Sequence, residues 1–580
     1  MQFPFIPDDA PFNEDQRSWL TGFMAGMSTR LVATGGASSE AAGLLELNIL
    51  VGTQTGNAQE VADDVVAAAT EAGLNGILHE LDDVDLSALA EMDRVLVVTS
   101  TYGEGEMPDN AELFWEALKA DTAPRMENVN FAVLGLGDTS YDGFCSAAKD
   151  IDARLNQLGG NRVMDGVWLD VDYEDAAEEW VADSLATIKP FGDQTVAEAV
   201  VPVAAPKREK SKWNRKNPYA SNVATNRLLS GEKSAKEIRH FEFDLGDSGI
   251  TYAAGDALAV MPVNNPQLVD EIIDRLGVDA GANVGGEAIH TLLTNQYEIL
   301  TPSKEFIWRV AEMAGDDHLS HIRENDDKEA LDDFLWNRDT MDVLNQYDKI
   351  NLSADEFVSL LRPLQHRAYS ISSSPKEHPD QIHLTIGTVR WKAYERHHGG
   401  VASTFLADRV GEGGKSGVFL SENKAFRPPV DTDAPMIMVG PGTGIAPFRA
   451  FLQDRRADGA KGKNWLFFGD QTSAHDFIYD DELAEMQKQG VLHKLDLAFS
   501  RDQKEKVYVQ HKMAESGAEL YAWLEEGGYF YVCGDAVRMA KDVDEALHDI
   551  VAEHGSLSHD GARDYVANLK REKRYLRDVY

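Results

Sequence analysis

Residues 44–60 read LLELNILVGTQTGNAQE, and their reading decides the first domain. An apolar run ends in a turn rich in glycine and hydroxyls. The turn opens a helix, EVADDVVAAATEA (60–72). Such a strand–turn–helix offers backbone N–H groups and the positive end of the helix dipole to an anion. A nucleoside triphosphate loop would read GxxxxGK[ST], with its lysine reaching the outer phosphates. This loop has no basic residue, and Thr53, Thr55 and Asn57 supply side-chain donors instead. The set suits one phosphate monoester, as in FMN, without a metal. A capped turn with no ligand is the competing reading.

Working outward, apolar runs alternate with helical stretches. GILHEL (76–81), RVLVVTS (94–100), NFAVLGLG (130–137) and VMDGVWLD (163–170) read as strands of a doubly wound parallel sheet over 46–190. Two further loops, STYGEGEMPDN (100–110) and LGDTSYDGFC (136–145), follow strands of that sheet. Open sheets bind ligands at those carboxyl ends. Tyr102 and Tyr141 offer rings for the two faces of an isoalloxazine. Glu104, Glu106, Asp109, Asp138 and Asp142 crowd the same edge as a rim that a basic redox protein would fit.

Residues 191–216 are rich in Ala, Val, Pro and charge and read as a linker. Short alternating runs over 217–434, interrupted by a helical tract at about 265–362, predict a β-barrel with a helical insertion. In RAYSISSSP (367–375) strand alternation puts Arg367 and Tyr369 on one face, the first for a pyrophosphate and the second for a ring. Ser370 beside them is a donor to a flavin nitrogen. GGVASTF (399–405) is a second pyrophosphate cradle, and the two motifs together suit FAD.

From 435 to 580 strand and helix alternate again. VGPGTGIAPFRAF (439–451), with Gly442 and Thr443 in its turn, follows a strand without being GxGxxG. No acid is read about twenty positions on at a strand end, where an NAD site would place one. Ser500, Arg501 and Lys506 in AFSRDQKEKVYVQ (498–510) stand just past a strand instead. A 2′-phosphate needs cationic donors, so NADPH is expected over NADH. Cys533 in YVCGD is a candidate for the hydride-transfer site, and Tyr580 for the cover of the FAD ring.

The chain of 580 residues exceeds what one core serves. Its net charge of −43 repels nucleic acid and anionic lipid. Two cysteines with no CxxC or Cys/His cluster exclude a disulfide framework and a metal centre from the expectation. The start, MQFPFIPDDAPFNED, lacks the pattern of a signal peptide, and no apolar run is long enough for a membrane span. A cytoplasmic protein is expected. Within the N-terminal segment 1–45, residues 12–30 have helical spacing.

Taken together, TQTGNA, STYGEGE, LGDTSYDGFC, RAYSISSS, GPGTGIAPFRAF, SRDQKEKVYVQ, YVCGDAVRMAKDV and the RDVY terminus resemble the diflavin reductases, and within them the flavoprotein (alpha) subunits of bacterial NADPH-dependent sulfite reductases. The resemblance covers nearly the whole chain. It implies a flavodoxin-like FMN domain, a ferredoxin-reductase-like FAD barrel with a connecting insertion, and an NADPH domain. It implies FMN contacts from Thr53, Gln54, Thr55, Gly56, Asn57 and Ala58, from Ser100, Thr101, Tyr102 and Gly103, and from Leu136, Gly137, Asp138, Thr139, Ser140, Tyr141 and Cys145. For FAD it implies Arg367, Ala368, Tyr369 and Ser370, then Thr385, Ile386 and Gly387, then Gly400, Val401, Ala402 and Ser403, with Tyr580 on the ring. For NADPH it implies Ser500, Arg501, Lys506, Val507, Tyr508, Val509, Gln510 and Asp542. Ser370, Cys533, Asp578 and Tyr580 would surround the site of hydride transfer.

The activity so implied is electron transfer from NADPH through FAD and FMN to a sirohaem and iron–sulfur hemoprotein subunit, for reduction of sulfite to sulfide. The resemblance also implies a homo-oligomer assembled through the N-terminal segment. Tyr102 stands where enterobacterial members carry glutamine, as in the microsomal cytochrome reductases. A soluble reductase for another one-electron hemoprotein is therefore the alternative, and a flavin-based carrier or sensor the non-enzymatic one.

Overall fold

The computed structural model describes residues 44–139, 141–193, 211–347 and 350–580. The helix expected at 12–30, Ser140 and most of the linker fall outside the described residues.

The first body is a parallel sheet of β1 (Leu45–Gly52), β2 (Leu74–Glu80), β3 (Arg94–Ser100), β4 (Asn130–Leu136), β5 (Asn161–Arg162) and β6 (Val167–Leu169). The order is β2-β1-β3-β4-β5, with β6 also on β4. The central strands β1, β3 and β4 are buried almost throughout because helices cover both faces. Alternation splits them into two cores. Ile49, Val51, Leu96, Val98 and Leu134 meet Trp180 and Leu185 on one face. Leu50, Val95, Val97 and Val133 meet Phe114 and Ile151 on the other. The three loops singled out in the sequence leave β1, β3 and β4, which are adjacent strands, so they share one edge.

The second body is an antiparallel sheet of β7 (Tyr219–Leu228), β8 (Glu237–Asp244), β9 (Ala257–Met261), β12 (Arg367–Ser370), β13 (Gln381–Thr388) and β16 (Lys415–Ser421), in the order β12-β9-β16-β7-β8-β13. A bridge between Ile371 and Leu384 and the bond from Ser372 N to His383 O bring its two ends together. A hairpin, β14 (Arg390–Ala393) with β15 (Arg396–Gly399), follows β13. Between β9 and β12 lie seven helices, from Pro266–Leu276 to Ala354–Ser359, and the small pair β10 (Asn283–Val284) and β11 (Glu287–Ala288). These helices have a core of their own around Ile272, Phe306, Ile307 and Phe357. Most begin at a side-chain cap: Asn265, Ser303, Asp316, Asp327, Asp339 and Ser353 each accept a backbone N–H of the first turn.

The third body is a parallel sheet of β17 (Met436–Val439), β18 (Asn464–Asp470), β19 (Lys494–Phe499), β20 (Tyr529–Gly534) and β21 (Tyr575–Val579), ordered β19-β18-β17-β20-β21. Its seam with the second body holds a buried polar cluster. His240 Nδ1 lies 2.8 Å from Tyr479 Oη, and the Thr385 hydroxyl lies 2.7 Å from the same oxygen. Arg449 donates to the Ser372 carbonyl at 2.6 Å and pairs with Glu482 at 2.9 Å. Burial first, and the Arg449 cation second, hold the imidazoles of His240 and His383 down to about 3 and about 2. Both histidines are therefore neutral in the fold.

A histidine that gains a proton at its ordinary value when unfolded, but not when folded, favours the fold above about pH 6.5 and opposes it below. Stability of the second and third bodies should fall as pH drops from 6.5 toward 4, by about 1.4 kcal/mol per pH unit for each such histidine. Urea unfolding across that range measures the slope. His383→Gln should lower it by about one proton's worth, and an unchanged slope would contradict the assignment.

Candidate functional site

The loops after β1, β3 and β4 are stitched into one rim. Thr53 Oγ1 accepts the Gly56 N–H at 3.0 Å, and Gly56 has φ 93, which admits the turn into the helix Asn57–Ala69. Thr53 N donates to Asn110 Oδ1, Gln54 N to Ser100 Oγ, and Asp109 N to Gln54 Oε1. Loop two is tied to loop three by Ser146 Oγ donating to Gly105 O and by Ala147 N donating to Thr101 Oγ1. Gly103, at φ 55, turns the chain beneath Tyr102. Thr139 is anchored to Asp170 through its N–H and its hydroxyl, and Gly137 N donates to Leu169 O.

Thr55 is exposed, Asn57 and Asp138 are half-buried, and Leu136 and Ala58 close the rim's base. The Tyr141 ring is 48% exposed beside it. Cys145 starts the next helix at φ 54 and is buried, with its thiol pushed up to about 12 by that burial.

The helix starts at the three expected phosphate positions differ from those of the insertion. Asn57–Ala69, Val401–Thr404 and Gly442–Ile445 all lack a side-chain cap. Their first N–H groups have no side-chain acceptor at the cap, the arrangement an anion site requires. The cradle around the second and third is open too. The nearest neighbour of a Cβ at Gly387 would be Thr443 Cγ2, 3.7 Å away. These residues fit phosphate-bearing cofactors.

On the edge strand β12, Arg367 and Ala368 are exposed and Tyr369 is half-buried. The Thr385 hydroxyl turns to Tyr479 in the seam. Ile386 is in the barrel core. Ser403 Oγ accepts the Val389 N–H at 3.1 Å, behind Gly400, Val401 and the buried Ala402.

The candidate hydride site is assembled by β12, β20 and β21. Ser370 Oγ donates to Asp578 Oδ2 at 2.7 Å, and Cys533 Sγ stands 3.8 Å from the same oxygen. Burial raises the Asp578 carboxyl, and burial with the adjacent carboxylate raises the Cys533 thiol well above its ordinary value. Tyr580 follows, 62% exposed, with its hydroxyl 2.9 Å from Thr443 Oγ1 and its N–H on Gly534 O.

Arg501 and Lys506 are exposed and join no ion pair among the described residues, whereas Ser500 bonds back to Asp470 O. Gln510 donates to Asp542 at 2.9 Å. Val507 is half-buried, Tyr508 exposed and Val509 buried.

The structure corrects the reading of this region in one respect. β18 ends at Asp470, so an acid does stand at that strand end. Its carboxylate is buried and its pKa raised by that burial, while Lys236, from the start of β8, pairs with it at 2.6 Å. Lys236 Nζ is also 3.8 Å from where a Cβ on Gly442 would lie. Sequence reading missed this lysine because it is about two hundred residues away in another body.

The acidic rim is partly occupied as well. Arg577 pairs with Asp109 and, at 2.7 Å, with Glu112, which Lys570 also meets at 2.7 Å. Lys573 reaches Glu80 at 2.7 Å, and Lys304 and Lys328 pair with Asp142. Glu104 and Glu106 stay exposed.

Three protein-family descriptions match in series: Flavodoxin over residues 49–180, FAD binding domain over 211–287 and 283–405, and Oxidoreductase NAD-binding domain over 438–545. The chain is 43% identical to the "Sulfite reductase [NADPH] flavoprotein alpha-component" of Vibrio cholerae, across 98% of this chain and 94% of that protein. The protein of the same name in Bacillus subtilis (strain 168) is 40% identical, across 98% and 96%. That of Aliivibrio fischeri is 41% identical, across 97% and 95%.

The chain belongs to the sulfite reductase flavoprotein alpha-component family.

Membership in that family, with its three domain types, makes this an NADPH-dependent oxidoreductase whose cofactors are FMN, FAD and NADPH. The mixed α/β expectation, a flavodoxin-like sheet plus a ferredoxin-reductase-like pair of bodies, holds. No helix among the described residues is long and apolar enough to cross a membrane.

Both cysteines are buried, and their thiols are held protonated. In the native protein at pH 8 neither should react with iodoacetamide within minutes, and both should react once unfolded. Rapid native labelling of Cys533 would contradict the site as described.

Proposed function

We propose that this chain draws electrons from NADPH through FAD to FMN and delivers them to a hemoprotein subunit bearing sirohaem and an iron–sulfur centre, which reduces sulfite to sulfide. The observation that carries the reading is the service of one strand, β21, to two sites. Its Asp578 meets Ser370 and Cys533, while its Arg577 and Val579 meet the flavodoxin-like body. When bound, the flavins take up a hydride and release electrons singly.

The residues have separable roles in this reading. Thr53 to Ala58 hold the FMN phosphate, and the 100–103 and 136–145 loops hold its ring between Tyr102 and Tyr141. Arg367 to Ser370, the backbone of Thr385 to Gly387, and Gly400 to Ser403 hold FAD. Ser500, Arg501 and Lys506 recognise the 2′-phosphate, with Tyr508, Gln510 and Asp542 along the nucleotide. Lys236 meets the pyrophosphate beside Gly442 and Thr443. Tyr580 covers the flavin face and leaves it for nicotinamide. Ser370, Asp578 and Cys533 orient the reacting carbon by hydrogen bonding. The domains would run 46–190, 217–434 and 435–580, joined by the 191–216 linker. The N-terminal segment would assemble a homo-oligomer, and a cytoplasmic setting agrees with the two free cysteines.

Ser500→Ala with Arg501→Ala should raise the KM for NADPH by more than about a hundredfold and leave NADH use nearly as it was. Contacts to a charged group contribute roughly 1.5–3 kcal/mol each. Lys236→Ala should weaken both nucleotides alike, since both carry the pyrophosphate. Steady-state kinetics with each dinucleotide checks both outcomes, and an equal loss for NADPH and NADH on changing Arg501 would contradict the assignment. For the acceptor, the flavin-loaded chain mixed with NADPH, sulfite and a sulfite reductase hemoprotein should yield sulfide. Reduction of cytochrome c without any sulfide would favour a reductase for another hemoprotein.

A further inference from the structure

Contacts between the flavodoxin-like body and the rest of the chain include ion pairs of long side chains, among them Lys570 and Arg577 with Glu112, Lys573 with Glu80, and Lys424 with Asp63, and bonds from the flexible side chains of Arg215 and Arg362 to the carbonyls of Val171 and Thr139. Coulomb attraction changes slowly with distance, and a lysine holds a carboxylate from many positions. Such pairs draw two bodies together without fixing an ångström-level register.

Tyr102 makes a stiffer contact. Its hydroxyl donates to the backbone carbonyl of Val579 at 3.1 Å, and its ring packs against the core of the third body. Val579 lies between Asp578 of the candidate hydride site and Tyr580. A rigid ring with two torsions, bonded to main chain in a sheet, does specify a register. Resting on the reading above, we propose that Tyr102 is a positioning residue for electron transfer from FAD to FMN: its hydroxyl sets how the FMN-holding rim seats on the strand that carries the hydride site. Burial pushes the phenol up to about 12, so it remains a protonated donor at working pH.

Tyr102→Phe removes the hydroxyl and keeps the ring. Full-length protein loaded with both flavins is mixed anaerobically with NADPH in a stopped-flow instrument. The quantity read is the rate of FMN reduction divided by that of FAD reduction in the same trace. Loss of one neutral hydrogen bond should lower this ratio about fivefold. The FMN content per chain is measured on the same variant, since Phe keeps the ring that the reading above places against FMN. An unchanged ratio overturns the proposal. So does loss of FMN from the variant, which would place the hydroxyl in the pocket and not in the seat. Wild-type protein that holds a single kind of flavin would instead defeat the reading on which the inference rests.

Discussion

Pairing of the last strand with β20 is the constraint on which the rest depends. That parallel register sets Cys533 opposite Asp578 and Gly534 opposite Val579. It brings the Asp578 carboxylate against Ser370 of the barrel and leaves Tyr580 just beyond the sheet, within reach of Thr443. Alternation then turns Arg577 the other way, toward Asp109 and Glu112. A slip of one residue would exchange the two faces and lose both sites together. Buried ion pairs such as Arg577 with its two carboxylates add little net stability, because desolvation offsets attraction, but they are costly to break singly. Their contribution here is to specify which surface of the flavodoxin-like body meets the strand.

The same geometry changes the meaning of the acidic rim. In isolation, carboxylates around the flavin loops look like a docking face for a basic partner. In the assembled chain Asp109 and Asp142 already have basic partners from the third body and the helical insertion, while Glu104 and Glu106 are exposed and join no ion pair among the described residues. A chain of net charge −43 thus places part of its scarce positive charge on the seams between its bodies. An external acceptor and the rest of the chain would compete for one surface.

The fold was largely legible in the sequence because its signals are local. Apolar runs ending in glycine turns gave the parallel sheets, and Asn, Ser and Asp caps mark helix starts in the insertion. That three loops share one edge was legible for the same reason, since each follows a strand directly. What was not legible depends on distant pairing. Lys236 reaches Asp470 from another body, and Tyr479 takes the hydroxyl of Thr385. No spacing rule brings these together. The acid at the end of β18, Asp470, was not legible because strand length cannot be read to the residue. Tyr102 was read as a flavin neighbour, but its bond to Val579 needs both bodies in place.

The central claim is that two different flavins in one polypeptide connect a hydride donor to a one-electron acceptor. Anaerobic titration of the fully loaded protein with NADPH, followed by extraction and mass analysis of its pigments, tests this most directly. The account predicts one FMN and one FAD per chain, with two equivalents of NADPH consumed before reduction is complete. Recovery of a single kind of flavin, or completion after one equivalent, would contradict it.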